Sequence, residues 1–234
     1  MMSSLRFALA VLVASTAGPV LAADQDWQKV GQALGKEGNV QPGGVYRVAL
    51  PRSDLKVTLD GIALKTGFAL GGWLAFEPTG NQAMVMGDLV LTQDEVNPVM
   101  RRFEEQGIEI TPVHNHLLRA EPMTLYMHVA GHGDPLKLAG ALHAGLALSK
   151  TPLGSPAAQQ PPAPIDLDTA AIDRAMGRKG KDNGGVYQFS IPRAQETKEE
   201  GMAVPEPLVT AIGINFQPTG GGKAAITGDF VLVA

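Results

Sequence analysis

The hydrophobic and polar positions of the chain alternate in short runs, and these runs are separated by stretches with helical periodicity. Alternation at a period of two predicts strands over residues 45–50, 57–60, 68–76 and 83–91. Apolar residues three and four positions apart predict helices that begin after Asp26, Thr92 and Asp134. Thr92 is followed three residues later by Glu95, the spacing of a capping box. The pattern predicts an α+β fold with antiparallel sheets and flanking helices.

Several sequence elements recur later in the chain at an offset of 140 to 142 residues. The clearest pairs are Gly43-Gly-Val-Tyr46 with Gly184-Gly-Val-Tyr187, Phe76-Glu-Pro-Thr-Gly80 with Phe216-Gln-Pro-Thr-Gly220, and Gly87-Asp88 with Gly228-Asp229. An offset this constant is not expected by chance. We therefore expect two homologous units, of which the second is truncated because it lacks the helix, hairpin and final helix of the first.

The repeat and the composition divide the chain into four ranges. Residues 1–23 are expected to be a signal peptide, and residues 24–148 form the complete first unit. Residues 149–164 are a Pro-rich linker with few side chains to bury, and residues 165–234 form the truncated second unit. The final strand at 231–234 has no following neighbour in this arrangement. Because uncovered strand edges usually pair with something, this edge is a candidate contact for a homo-oligomer or an envelope partner.

The amino terminus has the layout of a secretory signal peptide. Arg6 precedes an apolar run over residues 7–13, and small residues at Val20 and Ala22 suit cleavage near Ala22 or Ala23. The run is short for a membrane span, so we expect no stable membrane anchor and a periplasmic or secreted mature protein.

The composition excludes several kinds of site and partner. The sequence has no cysteine, which excludes disulfides, thiolate metal ligands and cysteine nucleophiles. The net charge of −4 without basic runs gives no electrostatic footprint for nucleic acid. A metal site, if present, must therefore use ligands other than thiolates.

Four of the five histidines lie within residues 108–133. If this segment is an antiparallel hairpin centred near Glu121, His114 lies opposite His128 and His116 lies opposite Tyr126. His114 and His116 then share a face, and directly opposed Cβ atoms are about 4.5–5.5 Å apart. The sequence thus predicts a metal site formed by three histidines, His114, His116 and His128. Three protein ligands with an open position favour zinc.

Other interpretations of the same residues stay open. The methionines near the cluster would suit copper, but Met123 and Met127 do not share parity with His128, so zinc is favoured. A metal-dependent hydrolase is the main alternative function, with Glu121 or Asp88 as candidate catalytic groups. The remaining alternative is a non-catalytic envelope interaction protein in which the histidines are structural. Whether the protein is an enzyme is undecided by the sequence.

A family resemblance rests on four segments of the first unit. Met86-Gly-Asp-Leu-Val-Leu91, Asp94-Glu-Val-Asn-Pro-Val99, Val113-His-Asn-His116 and Tyr126-Met-His128 resemble the LppY/LpqO family of bacterial exported proteins. The resemblance implies lipoproteins or secreted proteins built from two copies of this unit, with no established activity. This chain departs from the pattern in two ways, because it lacks the lipoprotein cysteine and its second unit is short.

Overall fold

A computed structural model describes residues 25–154, 164–194, 197–199, 202–204 and 211–230. The expected signal peptide at 1–23, residues 155–163 of the expected linker and the expected strand edge at 231–234 lie outside the described residues. Helices and antiparallel sheets occur together in the described part, so the predicted α+β class is confirmed.

The helices and strands follow one another in chain order. The elements up to residue 154 are α1 (Trp27–Leu34), β1 (Asn39–Val40), β2 (Tyr46–Pro51), β3 (Thr58–Leu59), β4 (Ile62–Ala63), α2 (Thr66–Ala69), β5 (Gly71–Thr79), β6 (Gln82–Thr92), α3 (Gln93–Glu105), β7 (Glu109–His114), β8 (Ala120–Glu121), β9 (Thr124–Gly133) and α4 (Pro135–Leu146). The later elements are α5 (Thr169–Met176), β10 (Lys181–Asn183), β11 (Val186–Pro192), β12 (Thr197–Glu199), β13 (Met202–Val204), β14 (Ala211–Gly220) and β15 (Lys223–Asp229).

The larger sheet is antiparallel, with the strand order β1-β2-β5-β6-β9-β7, and its two faces have different roles. Helices α1, α3 and α4 cover one face, where their apolar side chains form a single core with alternate residues of the strands. In β6 the alternation places Leu89 and Leu91 in this core, while Asp88 and Val90 lie on the opposite face. Each buried leucine contributes about 1.5–3 kcal/mol, so the alternation fixes which face meets the helices.

The predicted helix starts agree with the structure. Asp26 accepts a hydrogen bond from the Lys29 amide, Asp134 accepts from two amides of α4, and Thr92 and Glu95 form the expected capping box. The first helix ends where the chain turns at Gly35, with φ of +78°.

The predicted strand over residues 68–76 is only partly right. Its first residues form the short helix α2, in which the Leu70 amide donates to the Thr66 carbonyl. Phe68 and Leu70 are both buried in this helical turn, as they would be in a strand. An apolar run this short does not distinguish the two by its periodicity.

The smaller sheet has the order β10-β11-β14-β15 and docks on the segment around α2. Gln217, which is 2% exposed, accepts from the Lys65 amide at 2.8 Å and donates to the Ala63 carbonyl at 2.9 Å. Asn215 and Gln188 donate to the carbonyls of Phe68 and Gly67. These side-chain amides satisfy backbone groups that β-sheet pairing leaves unbonded, and they hold the smaller sheet beside the face that the helices leave uncovered.

The arrangement of the smaller sheet parallels the beginning of the larger one. In both, a helix is followed by strands in the order β1-β2-β5-β6 or β10-β11-β14-β15. This is the arrangement that the predicted repeat requires, and the division into homologous units stays a prediction. The first residues of the expected linker are ordered against the first unit, where Lys36 donates to the carbonyls of Pro152 and Gly154.

Across the described ranges, each helix is too short or too polar to cross a bilayer.

A buried ion pair joins distant parts of the larger unit. Arg52, which is fully buried, donates to Glu95 at 2.7 Å and 3.2 Å, to Asp54 and to the Val90 carbonyl. Glu95 also accepts from the backbone amides of Thr92 and Lys150. Burial raises the pKa of Glu95, but these hydrogen bonds outweigh it and hold the pKa below its usual value of 4.5.

Replacing Glu95→Gln should therefore destabilise the fold. Removing one partner of a buried pair costs about 3–5 kcal/mol, and we expect about 3 kcal/mol here because Asp54 still pairs with Arg52. A group with a depressed folded pKa contributes stability above its unfolded pKa and loses it as the pH falls through the folded value. The parent should thus lose stability below about pH 4.5 more steeply than the variant, measured by urea unfolding across pH.

The matched control is Glu104→Gln, an exposed carboxylate on the same helix. An equal effect of both substitutions would show that the ion pair does not carry the stability.

Candidate metal centre

The three histidines singled out by the sequence lie together on the sheet face that the helices leave uncovered. His114 is the last residue of β7, His128 is in β9, and His116 follows two residues after β7 ends. In β9 the residues that alternate with His128, Met127 and Val129, lie in the helix-covered core. The period of two that buries these neighbours therefore directs His128 away from the helices.

The expected pairing of the hairpin is wrong by two residues. His114 lies opposite Tyr126 and not His128, and the register shifts between Ile110 and Val113. The connection between β7 and β9 is longer than the expected turn, because β8 leaves the hairpin to pair with β3. A slip of two residues preserves the face on which each side chain lies, so the three histidines still share one face.

The ring nitrogens of the three histidines are close enough to meet at one ion. One nitrogen from each ring can be chosen so that all three lie within 4.8 Å of one another, and Nε2 of His114 lies 2.7 Å from Nε2 of His116. Ligand nitrogens on a tetrahedral zinc with bonds of about 2.0–2.1 Å are about 3.3 Å apart, which falls between these values. Small ring rotations therefore suffice for a shared ion, and the three residues fit a metal as a group.

Burial favours the neutral form of two of the imidazoles, those of His116 and His128. Desolvation, assisted by the neighbouring His114 and His116, lowers the pKa of His128 to about 4. Burial also lowers the pKa of His116, an effect that the nearby carboxylate of Asp229 opposes. A metal binds the unprotonated ring, so a histidine that is neutral at pH 7 competes less with protons for the ion.

Asp88, a candidate from the sequence, lies beside this cluster. It is directly opposite His128 in the β6–β9 pairing, and its Oδ1 is 3.6 Å from Nε2 of His128. This distance is too long for a hydrogen bond, and neither atom has a hydrogen-bond partner among the described residues although both are buried. Burial, with a contribution from Asp229, raises the pKa of Asp88 to about 7, and Arg47 opposes the shift. Two buried polar atoms without partners are a costly arrangement that an added ligand would relieve.

Asp229 is the residue that the sequence did not assign to the site. Its Oδ2 lies 3.2 Å from Nδ1 of His116, so the smaller sheet contributes a carboxylate to the cluster. Asp229 corresponds to Asp88 in the predicted repeat, and the two Gly-Asp aspartates flank the histidines. The recurrence was visible in the sequence, but the docking that brings Asp229 to His116 was not.

A cleft of about 820 Å³ opens between the two sheets next to the cluster. His116, Asp88 and Asp229 line one part of it, and Trp73 and Arg47 line another. The Arg47 guanidinium carbon lies 4.2 Å from the centre of the Trp73 ring, a cation–π distance. A volume of this size is typical of small-molecule sites, so a ligand can reach His116 and the two aspartates.

Glu121, the other catalytic candidate, is on β8, which pairs with β3 and not with the strands that carry the histidines. It is exposed in β8 opposite Thr58, whose hydroxyl donates to its backbone carbonyl. The other histidines have separate contacts: His132 lies 3.2 Å from the Thr79 hydroxyl, and Nδ1 of His143 lies 2.9 Å from the Leu34 carbonyl.

The methionines divide between the faces. Met127 is buried in the helix-covered core, as its parity predicted. Met123 has the same parity but is exposed, because it lies in the connection between β8 and β9 and not in a strand.

Together, the fold and the cluster define an α+β protein with a histidine site between two antiparallel sheets. A protein-family model described as Domain of Unknown Function (DUF1259) matches residues 28–148 and 170–234. The match covers most of the chain, and the protein belongs to this family. A comparison with curated proteins and one with solved structures each find no match.

The low pKa of His128 predicts a pH dependence of the metal-free protein. In the unfolded chain this residue is protonated below about pH 6.5, whereas in the folded protein it is protonated only below about pH 4. Stability contributed in this way is complete above pH 6.5 and is lost as the pH falls toward 4, by roughly 3 kcal/mol. Urea unfolding of chelator-treated protein should show this loss, and His128→Gln should flatten it.

His132→Gln, an exposed histidine in the same strand, is the control and should leave the slope unchanged. A His128→Gln profile parallel to that of the parent would contradict the assigned pKa.

Proposed function

We propose that this protein is an exported metal-binding module that holds one zinc ion through His114, His116 and His128. The observation that carries the proposal is the convergence of three ring nitrogens within 4.8 Å of one another. They come from the end of β7, from the connection that follows it and from β9. The unpartnered Nε2 of His128 supports it, because a buried imidazole without a partner is stabilised by a ligand at that nitrogen.

The chemistry of the ligands favours zinc over copper. Three imidazoles leave an open position, which is the pattern of zinc sites that bind a further ligand. Of the methionines considered for copper, Met127 lies in the core on the other face of the sheet. Met84 and Met86 lie on the histidine face, but they pair with His132 and Ala130 and not with the cluster.

Untagged protein purified without chelator should contain close to one equivalent of zinc by elemental analysis. His114→Ala, His116→Ala and His128→Ala should each weaken zinc binding by more than the 10–100-fold that is typical of outer-shell partners, because each removes a ligand. The matched control is His143→Ala, a histidine that bonds a backbone carbonyl in another part of the fold. Affinities equal to that of the parent in all three single variants of the cluster would refute the site.

A metal-dependent hydrolase is a second candidate function, and the cleft beside the cluster favours it. A bound zinc ion supplies Lewis-acid polarisation of an oxygen. Asp88 is placed to accept or release a proton at Oδ1, and its pKa of about 7 suits general acid–base work near neutral pH.

For this second function, the zinc-loaded protein should hydrolyse a member of a panel of chromogenic phosphate, ester and glycoside substrates. Asp88→Asn should lower kcat by about 10²–10⁴-fold while zinc content is retained. Glu121→Gln, an exposed carboxylate in β8, should leave kcat unchanged. A panel without turnover above that of the metal-free protein, or equal effects of the two variants, would favour a binding role.

The cellular setting belongs to the same proposal. The basic residue, apolar run and small residues of 1–23 support export to the periplasm or the medium. The four resembling segments support membership of the LppY/LpqO type within the DUF1259 family. Residues 231–234, which lie outside the described residues and are expected from the sequence to form a strand edge, are the proposed contact for a second copy or an envelope partner.

A further inference from the structure

We propose that Asp229 is a positioning residue of the metal centre, so that the smaller sheet is a functional part of the site. The inference rests on the proposed metal binding by the three histidines and extends the site to a residue of the second unit. His116 is the histidine that needs such a partner. His114 and His128 are held by strand pairing, whereas His116 lies beyond the end of β7.

The two nitrogens of His116 face different groups. Nδ1 lies 3.2 Å from Asp229 Oδ2, and Nε2 lies 2.7 Å from Nε2 of His114 inside the cluster. A carboxylate beside Nδ1 favours the tautomer that carries its proton there, which leaves the lone pair of Nε2 directed at the cluster. Carboxylate–histidine pairs of this kind fix the tautomer and ring orientation of metal ligands and raise their basicity.

Asp229 is delivered to His116 by the docking of the smaller sheet and not by local chain geometry. Hydrogen bonds donated by the side chains of Gln217, Asn215 and Gln188 hold that sheet on the segment around α2. Asp229 itself is 64% exposed and takes no part in those contacts. Its removal should leave the docking intact, so the role in metal binding can be separated from a role in folding.

The expected effect is a moderate loss of metal affinity. Outer-shell partners typically contribute 10–100-fold, and an exposed carboxylate belongs at the lower end of this range. Asp229→Asn and Asp229→Ala should each weaken zinc binding by about tenfold. Asp229→Glu should restore part of the loss, because it keeps the charge within reach of Nδ1.

The experiment measures zinc affinity by competition with a chromogenic chelator, for the parent, the Asp229 variants and Asp166→Asn. Asp166 is an exposed aspartate of the same unit, so its variant makes the same change in charge away from the site. The cobalt-loaded forms report the coordination geometry, and their visible absorption should change in Asp229→Ala and not in Asp166→Asn. Equal affinities and spectra in parent and Asp229→Ala would overturn the inference.

Gln217→Ala tests the delivery of Asp229 by the smaller sheet. The variant loses two hydrogen bonds that dock this sheet, so zinc affinity should fall although no residue of the cluster has changed. The loss in the Gln217→Ala/Asp229→Ala double variant should be smaller than the product of the single losses, because both act through the same contact. Multiplicative losses would contradict the shared pathway.

A measurement on metal-free protein separates the inference from the proposed function. Long-range proton–nitrogen NMR of the imidazoles should show His116 protonated at Nδ1 in the parent, and a mixture of tautomers in Asp229→Ala. A parent that binds no zinc but shows this change would refute the metal site and retain the pairing. A His116 protonated at Nε2 in both proteins would refute the pairing itself.

Discussion

The buried pairing of Arg52 with Glu95 is the interaction on which the architecture of the larger unit depends. Glu95 lies in the first turn of α3, Arg52 directly follows β2, and Lys150 follows α4. One carboxylate thus joins a strand end, a helix start and the segment that leaves the last helix. Because both charges are buried, neither can change partners without a large desolvation cost. The helices are therefore fixed on one face of the sheet, and the other face is left for the site.

The face of the sheet on which each side chain lies was predictable from the sequence, whereas the pairing register of β7 with β9 was not. Alternation in β6 and β9 is strict, since a shift by one residue would expose the leucines and bury Asp88. The pairing of His114 was expected at His128 and is found at Tyr126. The difference arises in the connection that follows β7, where β8 pairs with β3, a strand about sixty residues earlier in the chain. Local patterns do not contain such long-range pairings.

The helix caps were also predictable, because capping depends on a few neighbouring residues. Asp26, Thr92 and Asp134 all cap the helices that follow them. The short helix α2 was missed for the opposite reason, since its length gives too few positions for a periodicity. The contribution of Asp229 depends on the docking of a second sheet, so the sequence supplied only the recurrence of Gly-Asp and not the contact with His116.

The location of His116 has a kinetic consequence for the centre. Two of the three proposed ligands, His114 and His128, are on paired strands, and the third, His116, is on a connection that contacts the other sheet. Strand pairing resists opening, whereas connections and docked surfaces open at lower free energy. Loading and release of an ion would then begin at His116. Their rates would depend on how often the two sheets separate. If the site holds an ion, a molecule that enters the cleft and separates the sheets would accelerate its exchange, and one that bridges the sheets would retain it.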